Sequence, residues 1–378
     1  MGLTSRRLSV ALLAMLLLVI GSNHGQAAPA LVFDIATGDV YHEHEATRLW
    51  HPASLTKIMT TYVALRAASQ RRIPLDTPLV MSENAAAEPP SKVGLPVGQS
   101  IQLGTAIQII MIKSANDISV AIAEGIAGTE EGFVQMMNSE ARRLGMTSTR
   151  FANPHGLHDP QQVTTARDMA ILSRALLREF PQFHYIYRMP SVVFAGSRLR
   201  GHNTLLGRYD GADGLKTGFV CASGFNIVAT ATRNGRRLGV VIMGSPNASV
   251  RHDYATYLLS QAFDSRVSTR LFGFASATRN LNDLRATTQG PANMRPYVCG
   301  PRSQRQPVPP TLASYGVTLP DATVIESPDL PVTARANIPM PRPNPLRLSG
   351  QLRVTEDVDP RYPLAPEIPL PRSRPLIQ

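Results

Sequence analysis

Apolar positions along this chain fall into short runs at its two ends and a helical repeat between them. Short runs rich in β-branched and aromatic residues at 31–35 and 39–43, on either side of Ala36, Thr37 and Gly38, predict two strands joined by a turn. From Ile58 the spacing changes to the i, i+3, i+4 recurrence of amphipathic helices, over 58–68, 105–113, 117–127, 130–144 and 165–177. Strands are predicted again at 213–220 and at 225–232 and 236–244, the last two flanking Asn234 and Gly235, a dipeptide suited to a tight hairpin. A final helix is predicted over 250–263. Strands at both ends of the pattern with helices between them predict an α/β chain of the α+β type, an antiparallel sheet built from both ends of the domain with a mainly helical lobe inserted.

Both termini fall outside that pattern. Arg6 and Arg7 precede the apolar run 8–20, and small residues follow through Ala30, which predicts a signal peptide over 1–27 that is removed on export. The run is short for a membrane span. At the other end, 19 of the 31 prolines lie between 291 and 378, a stretch with almost no apolar periodicity. The expected organisation is therefore a folded domain over 28–265, a linker over 266–290 and a proline-rich, largely disordered tail over 291–378 that buries no core of its own and serves as a spacer or docking arm.

Composition changes this picture in two places. The net charge is +11, yet the tail holds ten arginines and no lysine against seven acids, so most of the excess belongs to the folded part. No C-terminal amphipathic helix follows, so no membrane anchor is evident there. Cys221 and Cys299 are the two cysteines, and an exported chain permits their pairing across a loop of about eighty residues.

Candidate chemistry begins at the mouth of the first predicted helix. Ser54 and Lys57 stand three positions apart and share a helix face, so the lysine reaches the serine hydroxyl. A serine becomes nucleophilic when a base takes its proton, and a lysine kept neutral by burial or by a second cation serves as that base. Ser114 and Asn116 fall on the short connection between two predicted helices, and Lys216, Thr217 and Gly218 lie inside a predicted strand.

Ser54 to Lys57, Ser114 to Asn116 and Lys216 to Gly218 resemble, in that order, the S-x-x-K, S-x-N and K-T-G elements of the penicillin-recognising serine enzymes. The chain is most similar to the low-molecular-mass penicillin-binding proteins, the D-alanyl-D-alanine carboxypeptidases. The resemblance extends over 29–45, 51–60, 151–157, 165–170, 213–218 and 224–229, and covers roughly 28–265. It implies a β-lactamase/transpeptidase-like fold. It further implies Ser54 as nucleophile, Lys57 as its base, Ser114 and Asn116 as proton relay and substrate-amide holder, Lys216 as the charge that keeps Lys57 neutral, and Thr217 as a ligand of the terminal carboxylate. The oxyanion is expected between the N–H groups of Ser54 and Phe219. Phe219 and Val220 depart from the His and Thr common at these positions, and His202 stands where an arginine is usual. Arg198, Arg200 and Arg208 remain alternatives for the missing cation.

The implied activity is removal of the terminal D-alanine from peptidoglycan stem peptides, with β-lactams as inhibitors, no cofactor, and a location in the periplasm or cell-wall space. The same residues serve a DD-endopeptidase that cuts cross-links, and a non-catalytic wall scaffold that traps penicillin is the reading from another class. A β-lactamase is disfavoured because Ala115 replaces the Asp of its middle motif. Catalytic zinc is disfavoured because His155 and His158 lie in a loop without a completing ligand set. Nucleic acid is disfavoured because the basic residues are scattered without interleaved aromatics. Oligomeric state is left open.

Overall fold

The computed structural model describes residues 28–272 and 279–309. The predicted signal peptide and the part of the tail from 310 onward lie outside the described residues. Strands β1 (Ala30–Asp34), β2 (Val40–His44), β7 (Ala212–Val220), β8 (Gly224–Arg233) and β9 (Arg236–Ser245) form a five-stranded antiparallel sheet in the order β2-β1-β9-β8-β7. The first strand of the domain thus pairs with the last, Ala30 opposite Ile242, as expected for a sheet assembled from both ends. Both faces of this sheet are covered. Leu31, Phe33, Val228, Val241 and Met243 turn to the helical lobe, while Ala30, Val32, Ile227, Ala229, Val240 and Ile242 turn to Tyr254, Leu258 and Leu259 of the last long helix. Coverage on two sides explains why β1 is buried at every position rather than at alternate ones.

The inserted lobe contains α1 (Thr56–Ser69), α2 (Glu83–Ala87), α3 (Leu103–Ile112), α4 (Asn116–Ala127), α5 (Glu130–Arg143), α6 (Ala166–Glu179) and α7 (His184–Arg188), with two small ribbons, β3 (Pro78–Val80) with β4 (Ser100–Gln102), and β5 (Ser191–Phe194) with β6 (Ser197–Arg200). Helix α1 runs through the middle of the lobe, with eleven of its fourteen residues buried, polar Thr56, Lys57, Thr60 and Thr61 among them. The ribbons, α2 and α7 were not anticipated because segments of three to five residues are too short to display a period.

The chain beyond the sheet differs from expectation. Helix α8 (Ala248–Phe272) extends past 265, so the expected domain boundary falls within a helix. Residues 279–309, expected as linker and the start of a coreless tail, lie on the folded body. They include the short α9 (Arg295–Val298), and Leu281, Leu284, Ala292, Met294 and Val298 are buried. Their attachments are backbone bonds to distant segments: Leu281 N–H to Gly38 O at 3.0 Å, and Met294 N–H to Ala222 O at 3.0 Å. The Arg167 guanidinium also donates to Leu281 O at 3.0 Å. Apolar residues at irregular spacing bury one at a time here, a pattern to which periodicity is blind. A disulfide joins Cys221 to Cys299 with Cα atoms 5.7 Å apart, across 78 positions.

Two stability predictions follow from this attachment. Replacing both cysteines by serine removes a closed loop worth about 4 kcal/mol on chain-entropy grounds, and should lower Tm by about 8 °C in differential scanning calorimetry. A chain ended at Gly290, which lacks the bridge and three buried side chains, should melt well below one ended at Pro309. Equal melting would show that 291–309 is not part of the folded unit.

Candidate active site

Ser54 lies in a single 3-10 turn, Ala53–Leu55, that leads directly into α1. Its backbone is pinned from three directions. The Asn226 side chain of β8 donates to His51 O (3.0 Å) and Pro52 O (3.2 Å) and accepts from Gly244 N–H of β9 (2.9 Å), which ties the turn to the sheet. Trp50, fully buried, donates its indole N–H to Ser223 O at 2.9 Å. Gly218 of β7 and Gly156 of the loop preceding α6 press against the same turn. A Cβ on Gly218 would stand 3.0 Å from Ser54 N, and one on Gly156 only 2.0 Å from Ala53 O, so neither position has room for a side chain.

This packing brings the strand carrying Lys216 and Thr217 against the helix start carrying Ser54. Strand β7 is one of the sheet's two edge strands, paired only with β8, and its Leu215, Lys216 and Thr217 line a pocket. The N–H of Ser54 sits at a helix N-terminus, where backbone donors and the helix dipole favour negative charge. Phe219 follows on the strand, 41% exposed, with its ring stacked on Phe225 at 4.3 Å between centroids.

Lys57 is fully buried and its Nζ meets three oxygens: Ser54 Oγ at 3.2 Å, Asn116 Oδ1 at 2.8 Å and the His155 carbonyl. The orientation of the Asn116 amide is fixed, because its Nδ2 donates to Pro89 O at 2.9 Å. Asn116 N–H in turn donates to Ser91 O at 2.7 Å. Asn116 and the His155 carbonyl offer only acceptor atoms to the lysine, whereas the serine hydroxyl also carries a proton. A neutral amine has two hydrogens and one lone pair. With the hydrogens directed to Asn116 and His155, the lone pair is directed to the Ser54 hydroxyl. Burial, and then the charge of Lys216, hold Lys57 well below the usual lysine range, against the opposing pull of Glu88 and Asp117.

Lys216 is itself buried and pushed down to about 7, first by burial and then by Arg251. Its ammonium donates to Thr217 O at 3.0 Å. Ser114 occupies the turn between α3 and α4 in a left-handed conformation, φ 68°, and is 7% exposed. The sequence-derived residues are therefore brought together, with Ser54, Lys57 and Asn116 in direct hydrogen-bond contact and Lys216, Thr217 and Gly218 along the adjoining edge.

The three arginines that the sequence offered as partners for a carboxylate lie at the surface. Arg198, Arg200 and Arg208 are exposed, and Arg208 acts on His252. His202 lines a pocket with Lys216 and Thr217, and its imidazole is lowered by burial and then by Lys216, Lys113 and Arg251. Arg251, in the first turns of α8, is the buried guanidinium of this group. Nothing in its sequence context marks it among so many arginines, because only the packing of α8 on the sheet brings it to Lys216. The His155 ring points to Glu88 and Glu130, and no group of ligands suited to a metal ion occurs among the described residues.

Escherichia coli (strain K12) D-alanyl-D-alanine carboxypeptidase DacC is 35% identical over 240 residues, which cover 62% of this chain and 60% of that protein. The chain thus spans about three fifths of the length of that curated relative. The crystal structure of the D-alanyl-D-alanine carboxypeptidase DacD from Francisella tularensis superposes with a TM-score of 0.61 at 29% identity, covering 62% of this chain and 69% of that one. Penicillin-binding protein D2 from Listeria monocytogenes, in its cefotaxime-bound form, superposes with a TM-score of 0.58 at 28% identity, covering 63% of this chain and 97% of that one. Residues 21–247 match the peptidase S11 family, described as D-alanyl-D-alanine carboxypeptidase, and the chain belongs to that family.

Proposed function

We propose that this chain is an exported serine-type D-Ala-D-Ala carboxypeptidase acting on peptidoglycan stem peptides. The observation that carries the reading is the surroundings of Lys57 Nζ, where two acceptors and one hydroxyl leave the lone pair facing Ser54. Ser54 Oγ attacks the carbonyl carbon of the penultimate D-alanine as its proton passes to Lys57, and the oxyanion forms between the N–H groups of Ser54 and Phe219. The peptide C–N bond then breaks, the leaving amine takes a proton delivered from Lys57 through Ser114, and water hydrolyses the acyl-enzyme. Asn116 holds the substrate amide. Lys216, Thr217 and Arg251 receive the terminal carboxylate, with His202 at the margin of that site. β-Lactams acylate the same serine, a reading supported by the cefotaxime-bound relative. No helix of the described residues is long and apolar enough to cross a membrane. Residues 1–27 are read as the cleaved export signal, which places the enzyme in the periplasm or cell-wall space.

Intact-mass measurement after penicillin treatment should show one covalent adduct, mapped to Ser54 and absent from Ser54→Ala. Lys57→Arg should lower the acylation rate by at least about 100-fold, because a guanidinium keeps its proton at accessible pH. Normal acylation in that variant would mean that another base operates. A monomeric pentapeptide should be cleaved faster than a cross-linked dimer, and the reverse preference would redirect the assignment to an endopeptidase.

The pH dependence has a definite sign. Lys57 accepts a proton only when neutral, so the rate rises with pH through its lowered pKa. Lys216 attracts the carboxylate only when charged, and it loses its proton at about 7 in the free enzyme. kcat/KM for the pentapeptide should therefore peak near neutrality and fall on the alkaline side. A profile still rising at the ordinary lysine value of 10.5 would contradict these roles.

A further inference from the structure

His155 gives its carbonyl to Lys57, and its ring is held by groups that play no part in the steps above. The Leu157 N–H donates to Nδ1 at 3.1 Å, which leaves the proton of the neutral imidazole on Nε2. Burial, and then the charge of Lys57, push the ring down to about 3, so it stays neutral at working pH. Nε2 points between two carboxylates, Glu88 Oε2 at 3.5 Å and Glu130 Oε1 at 3.6 Å. Glu88 Oε2 is buried and makes no hydrogen bond at these distances.

Glu88 also sits immediately before the loop that holds Asn116. Pro89 O takes the Asn116 amide and Ser91 O takes its backbone N–H. Three segments therefore meet at Glu88: the loop 88–94, the first turn of α5 carrying Glu130, and the turn 153–157 that supplies the carbonyl to Lys57. Around Lys57 the charges are Lys216 from β7, Asp117 from α4 and Glu88. Around Glu88 they are Glu130, Lys57, Asp117 and Lys92, and its carboxyl is raised by burial and then by Glu130. Around Glu130 stand Glu131 and Glu124, with Asn84 Nδ2 donating to Glu130 Oε2 at 3.4 Å.

We propose that Glu88 is a positioning residue for acylation: with Glu130 it orients the His155 ring by the attraction of two carboxylates for its N–H rather than by a hydrogen bond, and so aims the carbonyl that takes a hydrogen of Lys57, while its carboxylate offsets part of the charge of Lys216 at the amine. This rests on Ser54 and Lys57 acting as nucleophile and base. The two effects act in opposite directions. The carbonyl aims the lone pair. The carboxylate favours the ammonium, which keeps the lysine from becoming too weak a base, since a base works best with a pKa near the operating pH.

The test is the rate of acylation by a fluorescent penicillin as a function of pH, in the full chain. Wild type is measured first. If it forms no Ser54 adduct the proposed function fails, and this inference falls with it. With wild type acylating, Glu88→Gln should move the acidic limb down by about half a pH unit or more and lower the plateau about fivefold. A limb that stays in place or moves up overturns the proposal, because loss of packing alone does not shift it downward. Glu88→Asp keeps the charge and shortens the reach, so its limb should stay at the wild-type pH while its plateau falls severalfold. An unchanged plateau in Glu88→Asp overturns the proposal by itself, whether or not the glutamine variant folds.

Discussion

A lysine ammonium taken fully out of water loses several kcal/mol of hydration, and in this protein the loss falls on the side chain whose neutral form the proposed chemistry needs. Lys57 has no exposed surface, and its nearest partners are an amide oxygen, a backbone carbonyl and a hydroxyl, none of them charged. A carboxylate in any of those places would restore the ammonium and leave no base. The three partners come from three separate parts of the chain, the turn before α1, the start of α4 and the loop before α6. Keeping them within hydrogen-bond distance of one nitrogen is the constraint that the rest of the fold serves.

The sheet meets that constraint from one side. Strand β7 must lie close enough to Ser54 for Gly218 to touch its backbone nitrogen, and Asn226 on the neighbouring strand bonds to the same turn. The close approach places a second buried lysine, Lys216, where its charge acts on the first. The strap 279–309 and the disulfide then fasten the far end of β7, the region of Cys221 and Ala222, to the chain that follows α8. Stability in that region is thus linked to the position of the edge strand whose Lys216 and Thr217 line the pocket.

Much of this was legible in residue order. The apolar runs at 31–35 and 39–43 and the hairpin signal at Asn234 and Gly235 point to the sheet, and the spacing of Ser54 and Lys57 places the proposed base beside the proposed nucleophile. The chain has only four lysines, Lys57, Lys92, Lys113 and Lys216, in a composition otherwise rich in arginine. One of them, Lys57, sits where the proposed chemistry needs a cation that can lose its proton, a role closed to arginine. The partners that make the site work were not legible. The His155 carbonyl is a backbone atom. Glu88 and Arg251 reach the site only through loop and helix packing, and their sequence neighbours carry no period or motif that points inward. The strap was missed for the related reason that its buried residues, Leu281, Leu284, Ala292, Met294 and Val298, follow no regular spacing.

The central claim is that Lys57 is neutral because it is buried beside Lys216, and lysine titration by NMR tests it most directly. With four lysines in the chain, carbon-13 labelling at the ε position gives few enough signals to assign by single substitutions. The Lys57 signal should titrate well below the ordinary lysine value of 10.5, and it should move upward in Lys216→Met, where burial remains but the neighbouring charge is gone. A Lys57 that titrates at the ordinary value in wild type, or whose titration is indifferent to Lys216→Met, would contradict the account.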